Sequence, residues 1–123
     1  VGDGKQTRDF VFVTDVVDAF SKAAKTNSVG EIFNLGNGKP IQIRYLANLI
    51  GGKKFFLPNR PGEPRKSEAN IKKIRSKLNW YPKVNFDNGV KIMLQNINDW
   101  KKAPLWTKKK IKIATRKWFK ILK

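Results

Sequence analysis

Val1-Gly2-Asp3-Gly4-Lys5-Gln6-Thr7-Arg8-Asp9-Phe10-Val11-Phe12-Val13-Thr14-Asp15-Val16-Val17-Asp18-Ala19 is the stretch on which the fold of this chain turns. Gly2-Asp3-Gly4 reads as a turn, since glycine takes positive φ at little cost. Residues 9–13, rich in Phe and Val, predict a short strand. Thr14-Asp15 predicts the cap of a helix with Val16, Ala19, Phe20 and Ala23 on its apolar side. Arg8 stands at the mouth of the strand. Its guanidinium is a planar fork of donors that fits a phosphate or a carboxylate. Arg8 is therefore a candidate anion clamp that Asp9 could orient. The alternative is a surface Arg paired with Asp9, a common and weak arrangement.

Outward from this stretch, residues 26–30 form a loop and 31–35 read as a short buried strand. Gly36-Asn37-Gly38-Lys39-Pro40 is a turn. It lacks the third glycine of a dinucleotide loop, since Ile41 stands there, and no Walker pattern is present. Residues 40–43 are extended, and a helix over 44–50 carries Leu46, Leu49 and Ile50 on one side until Gly51-Gly52 ends it. Residues 53–57 predict a strand with Phe55, Phe56 and Leu57. The loop 58–66 holds Pro58, Pro61, Pro64 and Gly62, so it is stiff and loses little entropy on binding. Arg60 within it is a second candidate clamp, and Glu63 could accept from a vicinal diol. The alternative is a basic surface loop. Asn70 predicts the cap of a helix to Leu78 with Ile71, Ile74 and Leu78 buried. Trp80 beside a Pro turn reads as core. Asp87 predicts another cap, for a helix over 88–100 that buries Val90, Met93, Leu94, Ile97 and Trp100.

The 123 residues carry a formal net charge of +18 and contain neither cysteine nor histidine. That excludes disulfides, thiolate nucleophiles, Cys/His zinc sites and His-based acid–base chemistry. No catalytic residues and no metal site are expected. Asp15 and Asp18 share a helix face but read as solvated acids rather than a glycosidase pair. Charge divides the chain into a body, 1–100, and a basic tail, 101–123, whose ten Lys and Arg residues face no acid. Beyond Pro104 a helix from Thr107 places Ile111, Ala114, Trp118, Ile121 and Leu122 on one face, the pattern of a helix lying on an anionic membrane. A solvated tail and a helix docked on a partner are the alternatives. No signal-peptide pattern or spanning apolar run is found, which predicts a cytoplasmic protein, peripheral at a membrane if the tail binds one.

The run Gly2-Asp3-Gly4-x-Gln6-x-Arg8-Asp9-Phe10-Val11-x-Val13-x-Asp15-Val16-x-x-Ala19 resembles the start of the C-terminal, substrate-binding part of the extended short-chain dehydrogenase/reductase family, the NAD-dependent nucleotide-sugar epimerases and dehydratases. Three further blocks match in order: Gly30-Glu31-Ile32-Phe33-Asn34-Leu35-Gly36-Asn37-Gly38, Arg60-Pro61-Gly62-Glu63 and Leu78-Asn79-Trp80-Tyr81-Pro82. The resemblance covers residues 1–100 and implies a small mixed α/β fragment of an extended Rossmann-type fold whose cofactor domain is missing. It implies that Arg8 and Arg60 contact the diphosphate, Asn34 the nucleotide-sugar site and Glu63 the ribose. The alternative for Asn34 is a side chain that caps the turn. The family's hydride transfer uses NAD, a Gly-rich turn and a Tyr-x-x-x-Lys pair. Here Leu49 and Asn85 stand four residues after Tyr45 and Tyr81. The chain is thus expected to be a fragment, inactive alone, that binds a nucleotide-diphosphate sugar and pairs with an N-terminal NAD-binding domain. Strands deprived of partners would leave apolar edges that favour self-association. The rival reading is a basic module that binds nucleic acid or a membrane surface through the Lys-rich tail.

Overall fold

A computed structural model describes residues 2–121. The elements in order are β1 (Thr7–Arg8), α1 (Val13–Ala24), β2 (Ile41–Gln42), α2 (Ile43–Ile50), α3 (Lys72–Leu78), α4 (Phe86–Gln95), a 3₁₀ turn (Ile97–Trp100) and α5 (Lys108–Ile121). This is the small mixed α/β fragment expected. The turn at Gly2 and Gly4 takes positive φ, 60° and 70°, and delivers the chain into β1.

The segment around β1 is the hub. On one side β1 pairs antiparallel with β2, Thr7 opposite Gln42 and Arg8 opposite Ile41. On the other, the Thr7 amide donates to the Arg65 carbonyl at 2.9 Å and the Ser67 amide to the Thr7 carbonyl at 3.2 Å. Upstream, the Gly2 amide reaches the Leu57 carbonyl at 2.7 Å. The loop 57–67 is thereby tied along the opening stretch.

The core is small. Ala19, Ile71, Ile74, Leu78 and Trp80 are buried, with Val11, Phe33, Leu35 and Ala69 packed around them. It sits where α1 meets α3. The periodicity of 71–78 predicts this face correctly, and Trp80 is fully buried with its indole Nε1 donating to the Asp15 carbonyl at 3.0 Å.

Several expectations are corrected. Residues 9–13, 31–35 and 53–57 are not strands. Their Phe and Val content suits a pleated surface, but a strand needs a ladder, and these segments find none among the described residues. Helix α1 begins at Val13 behind Phe12, with no side-chain cap from Thr14 or Asp15. Asp15 lies inside the first turn, buried, and accepts from the Val84 amide at 3.0 Å. It is not a solvated acid. Asp18 faces Lys83 at 3.5 Å. Phe20 is 68 % exposed, so only Ala19 of the predicted face is buried. Asn85, not Asp87, caps α4 by accepting from the Asn88 amide at 2.9 Å; Asp87 accepts from the Tyr45 hydroxyl at 2.6 Å. The predicted helix 88–100 is broken after Gln95 and continues as the 3₁₀ turn. Met93, Ile97 and Trp100 are exposed rather than core. Val90, Met93, Leu94 and Ile97, with Phe12 and Leu46, line an open apolar hollow of about 490 Å³. Its floor is the ladderless 10–13 segment. Helix α5 forms as predicted, with Leu122 outside the described residues. Ile111, Thr115 and Phe119 are its half-buried positions, whereas Ala114 and Ile121 are exposed.

Candidate functional site

The Pro-rich loop and Gln6, the residue before β1, meet over a cavity of about 200 Å³ lined by Gln6, Asn59, Arg60, Glu63, Pro64 and Arg65. The loop is stiff because a tight turn crosses it: the Glu63 amide donates to the Arg60 carbonyl at 3.2 Å. This turn sets Arg60 and Glu63 on one rim, three residues apart.

Arg8 reaches the site through Glu63. Its Nη2 donates to Glu63 Oε1 at 2.8 Å, while Nη1 donates to the carbonyls of Thr7 at 2.8 Å and Pro64 at 2.9 Å. The half-buried pair is charge-assisted and crosses from β1 to the loop. Asp9 does not orient this guanidinium. Its carboxylate accepts instead from the amides of Asn37, Gly38 and Ala69 at 2.6, 3.0 and 3.0 Å. Two of these N–H groups come from the 36–40 turn and the third from the segment leading into α3, so the carboxylate joins two backbone segments to the end of β1.

Of the residues singled out from sequence, the fold thus brings together Arg8, Arg60 and Glu63. Asn34 is exposed and does not line the cavity. Sequence reasoning missed Gln6, Asn59 and Arg65. It also missed Trp118 of α5, whose indole Nε1 donates to the Pro61 carbonyl at 2.9 Å and whose ring lies 5.6 Å from the Arg60 guanidinium carbon. The basic tail therefore packs on the loop that carries the site. Nothing local in 101–123 signals that contact. Among the described residues no group of acids could hold a metal ion, and no helix is long and apolar enough to cross a membrane.

Arg65 also clasps the opening turn, donating to Asp3 at 3.1 and 3.3 Å. The Arg65 hydrogen bond, then that of the Lys5 amide, pulls the Asp3 carboxyl from its ordinary 3.8 down to about 2. A folded value below the unfolded one means stability present above 3.8 and lost as pH falls towards 2. Urea denaturation of Asp3→Asn across this range should show the variant less stable at neutral pH and equal to the parent at the acid end. Added salt should narrow the gap, since the pair is exposed. A gap unchanged by pH would disprove the assignment.

The family described as GDP-mannose 4,6 dehydratase matches residues 1–93. The UDP-glucose 4-epimerase of Mycolicibacterium smegmatis is 39% identical over 95 residues, covering 72% of this chain and 30% of that protein. Among solved structures, UDP-glucose 4-epimerase from Thermotoga maritima, crystallised with UDP-glucose, superposes with a TM-score of 0.73 at 33% identity, over 80% of this chain and 33% of that one. UDP-glucuronic acid 4-epimerase from Bacillus cereus, in complex with UDP-glucuronic acid and NAD, gives 0.73 at 29% identity over 80% and 34%. The chain spans about a third of these proteins.

Proposed function

We infer that this chain, which belongs to the NAD-dependent epimerase/dehydratase family, is the nucleotide-sugar-binding portion of a sugar epimerase or dehydratase. The observation that carries the reading is the cavity in which Arg60 and Glu63 share a rim and Arg8 holds Glu63 from below. The relatives crystallised with UDP-glucose and UDP-glucuronic acid support the ligand class.

In this reading Arg60 grips the diphosphate through charge-assisted bonds. Arg8 engages one oxygen of Glu63, which leaves Oε2 to accept from the ribose diol. Arg8 thus acts as much by fixing Glu63 as by its own charge, and Arg65 adds a second cation to the lining. Trp118, against Arg60, limits the rotamers of that guanidinium. The residues here do not fit NAD: Ile41 interrupts the Gly-rich turn, and neither tyrosine is followed four residues on by lysine. Hydride transfer would therefore require sequence beyond these 123 residues, docked against this portion, and no redox step is assigned to them.

An NMR titration with UDP, dTDP and GDP tests the reading. Saturable shifts at Arg8, Arg60 and Glu63 that differ between bases are expected, and Arg60→Ala should weaken binding by about tenfold or more, the worth of one hydrogen bond to a charged group. A shift at Asn34 would extend the site to that residue. Equal shifts for every polyanion, concentrated beyond Lys101, would overturn the reading and favour the basic surface module instead.

A further inference from the structure

A second cavity, of about 560 Å³, lies between the 56–60 segment and α5. Its size falls among small-molecule sites, about 300–1,000 Å³. The helical repeat builds its chemistry. Lys108, Lys112 and Arg116, spaced i, i+4, i+8, form one row of its wall, and Ile111, Thr115 and Phe119 form the adjacent row. Phe56, Leu57 and Pro58 face them from the loop, and Arg60 completes the rim. Four cations therefore ring an apolar floor, and no carboxylate lines it.

These cations are not neutralised elsewhere. Among the described residues no acid pairs with Lys108, Lys112, Arg116 or Arg60. Two of them rest on rings instead: Lys108 Nζ lies 4.2 Å from the Phe55 centroid, and Arg60 lies over Trp118. Like charges at i, i+4 repel, and an anion held between neighbouring cations of this row would relieve that repulsion. A phosphate alone would leave the apolar floor wet. A bilayer would need Ile111 and Phe119 turned outward, whereas both face the 56–60 segment.

We propose that this cleft binds a single-chain anionic amphiphile, its phosphate head held by Lys112 and Arg116 and its hydrocarbon body laid against Phe56, Ile111 and Phe119. The site is separate from the nucleotide cavity and does not depend on that reading; the two share only Arg60.

Calorimetric titration of the 123-residue chain with monomeric dodecyl phosphate tests it. Inorganic phosphate, dodecyl maltoside below its micellar concentration, and vesicles of phosphatidylcholine with phosphatidic acid serve as the other arms. One saturable site is expected, at least about tenfold tighter for dodecyl phosphate than for phosphate or dodecyl maltoside. The double variant Lys112→Glu, Arg116→Glu should lose about tenfold or more. The double variant Lys109→Glu, Lys117→Glu alters net charge equally at exposed positions outside the cavity, and it should bind like the parent. If charge reversal unwinds α5 by circular dichroism, Lys112→Gln with Arg116→Gln replaces it and should show the same loss. Equal losses in the two charge-reversed pairs, phosphate binding as tightly as dodecyl phosphate, or binding to anionic vesicles alone would overturn the proposal.

Discussion

Replacing Trp80 by Ala should unfold this protein at room temperature or bring it to the edge of unfolding. Among the described residues the core has five buried apolar side chains, and Trp80 is the largest of them. Truncating a buried Trp costs about 3–5 kcal/mol. A domain of this size holds roughly 5–15 kcal/mol in all, and so shallow a core places this one at the low end. The indole also carries a hydrogen bond to the Asp15 carbonyl, 65 residues away in sequence. It thus closes α1 onto the chain leaving α3. Trp80→Phe separates the two contributions. It keeps most of the apolar volume and loses the N–H, so it should cost about 1–2 kcal/mol. Phe20→Ser, at an exposed position of α1, should change stability by no more than about 0.5 kcal/mol. Urea denaturation followed by circular dichroism gives all three. A Trp80→Ala variant within about 1 kcal/mol of the parent would mean that the core lies elsewhere.

What the sequence discloses and what it hides divide along one physical line. Ile71, Ile74 and Leu78 recur at helical spacing and are buried, because a helix satisfies its backbone locally and its face follows from its own residues. The boundaries of α2 and α5 follow for the same reason, from Gly51 and from Thr107. Strands depend on partners. Residues 9–13 have the composition of a strand, yet the ladder forms at Thr7 and Arg8, where Ile41 and Gln42 lie alongside. The side chains of α4 hide for a related reason. Met93 and Ile97 keep a clean apolar period, but no element among the described residues covers them. The site behaves alike. Arg60 and Glu63 are visible in sequence because one short turn carries both. The Arg8–Glu63 pair and the Trp118–Pro61 contact join residues more than fifty apart, and no local pattern announces them.

Asp9 should rank with Trp80 in its effect, through polarity rather than volume. Its carboxylate gathers the amides of Asn37, Gly38 and Ala69. A hydrogen bond to a charged group is worth about 1.5–3 kcal/mol, and three on one acceptor are not additive. Asp9→Ala should therefore cost roughly 3 kcal/mol or more. Asp9→Asn should recover only part of that, since its amide nitrogen cannot accept. The packing around the carboxylate supplies a second test. A Cβ built on Gly36 would come within 2.6 Å of Asp9 Oδ2 and 2.5 Å of the Ala69 Cβ. Gly36→Ala is thus destabilising in the parent, and part of its cost vanishes once the carboxylate is gone. A double-mutant cycle should show that coupling as a sub-additive sum, about 0.5 kcal/mol or more below the two single costs. The consequence reaches the candidate site. Asp9 follows β1 directly and anchors the exit of the strand that presents Arg8 to Glu63. Asp9→Asn, if it still folds, should weaken the nucleotide binding proposed above although its side chain lines no part of the cavity. Full nucleotide affinity in a destabilised Asp9→Asn would show instead that the loop holds Glu63 without help from β1.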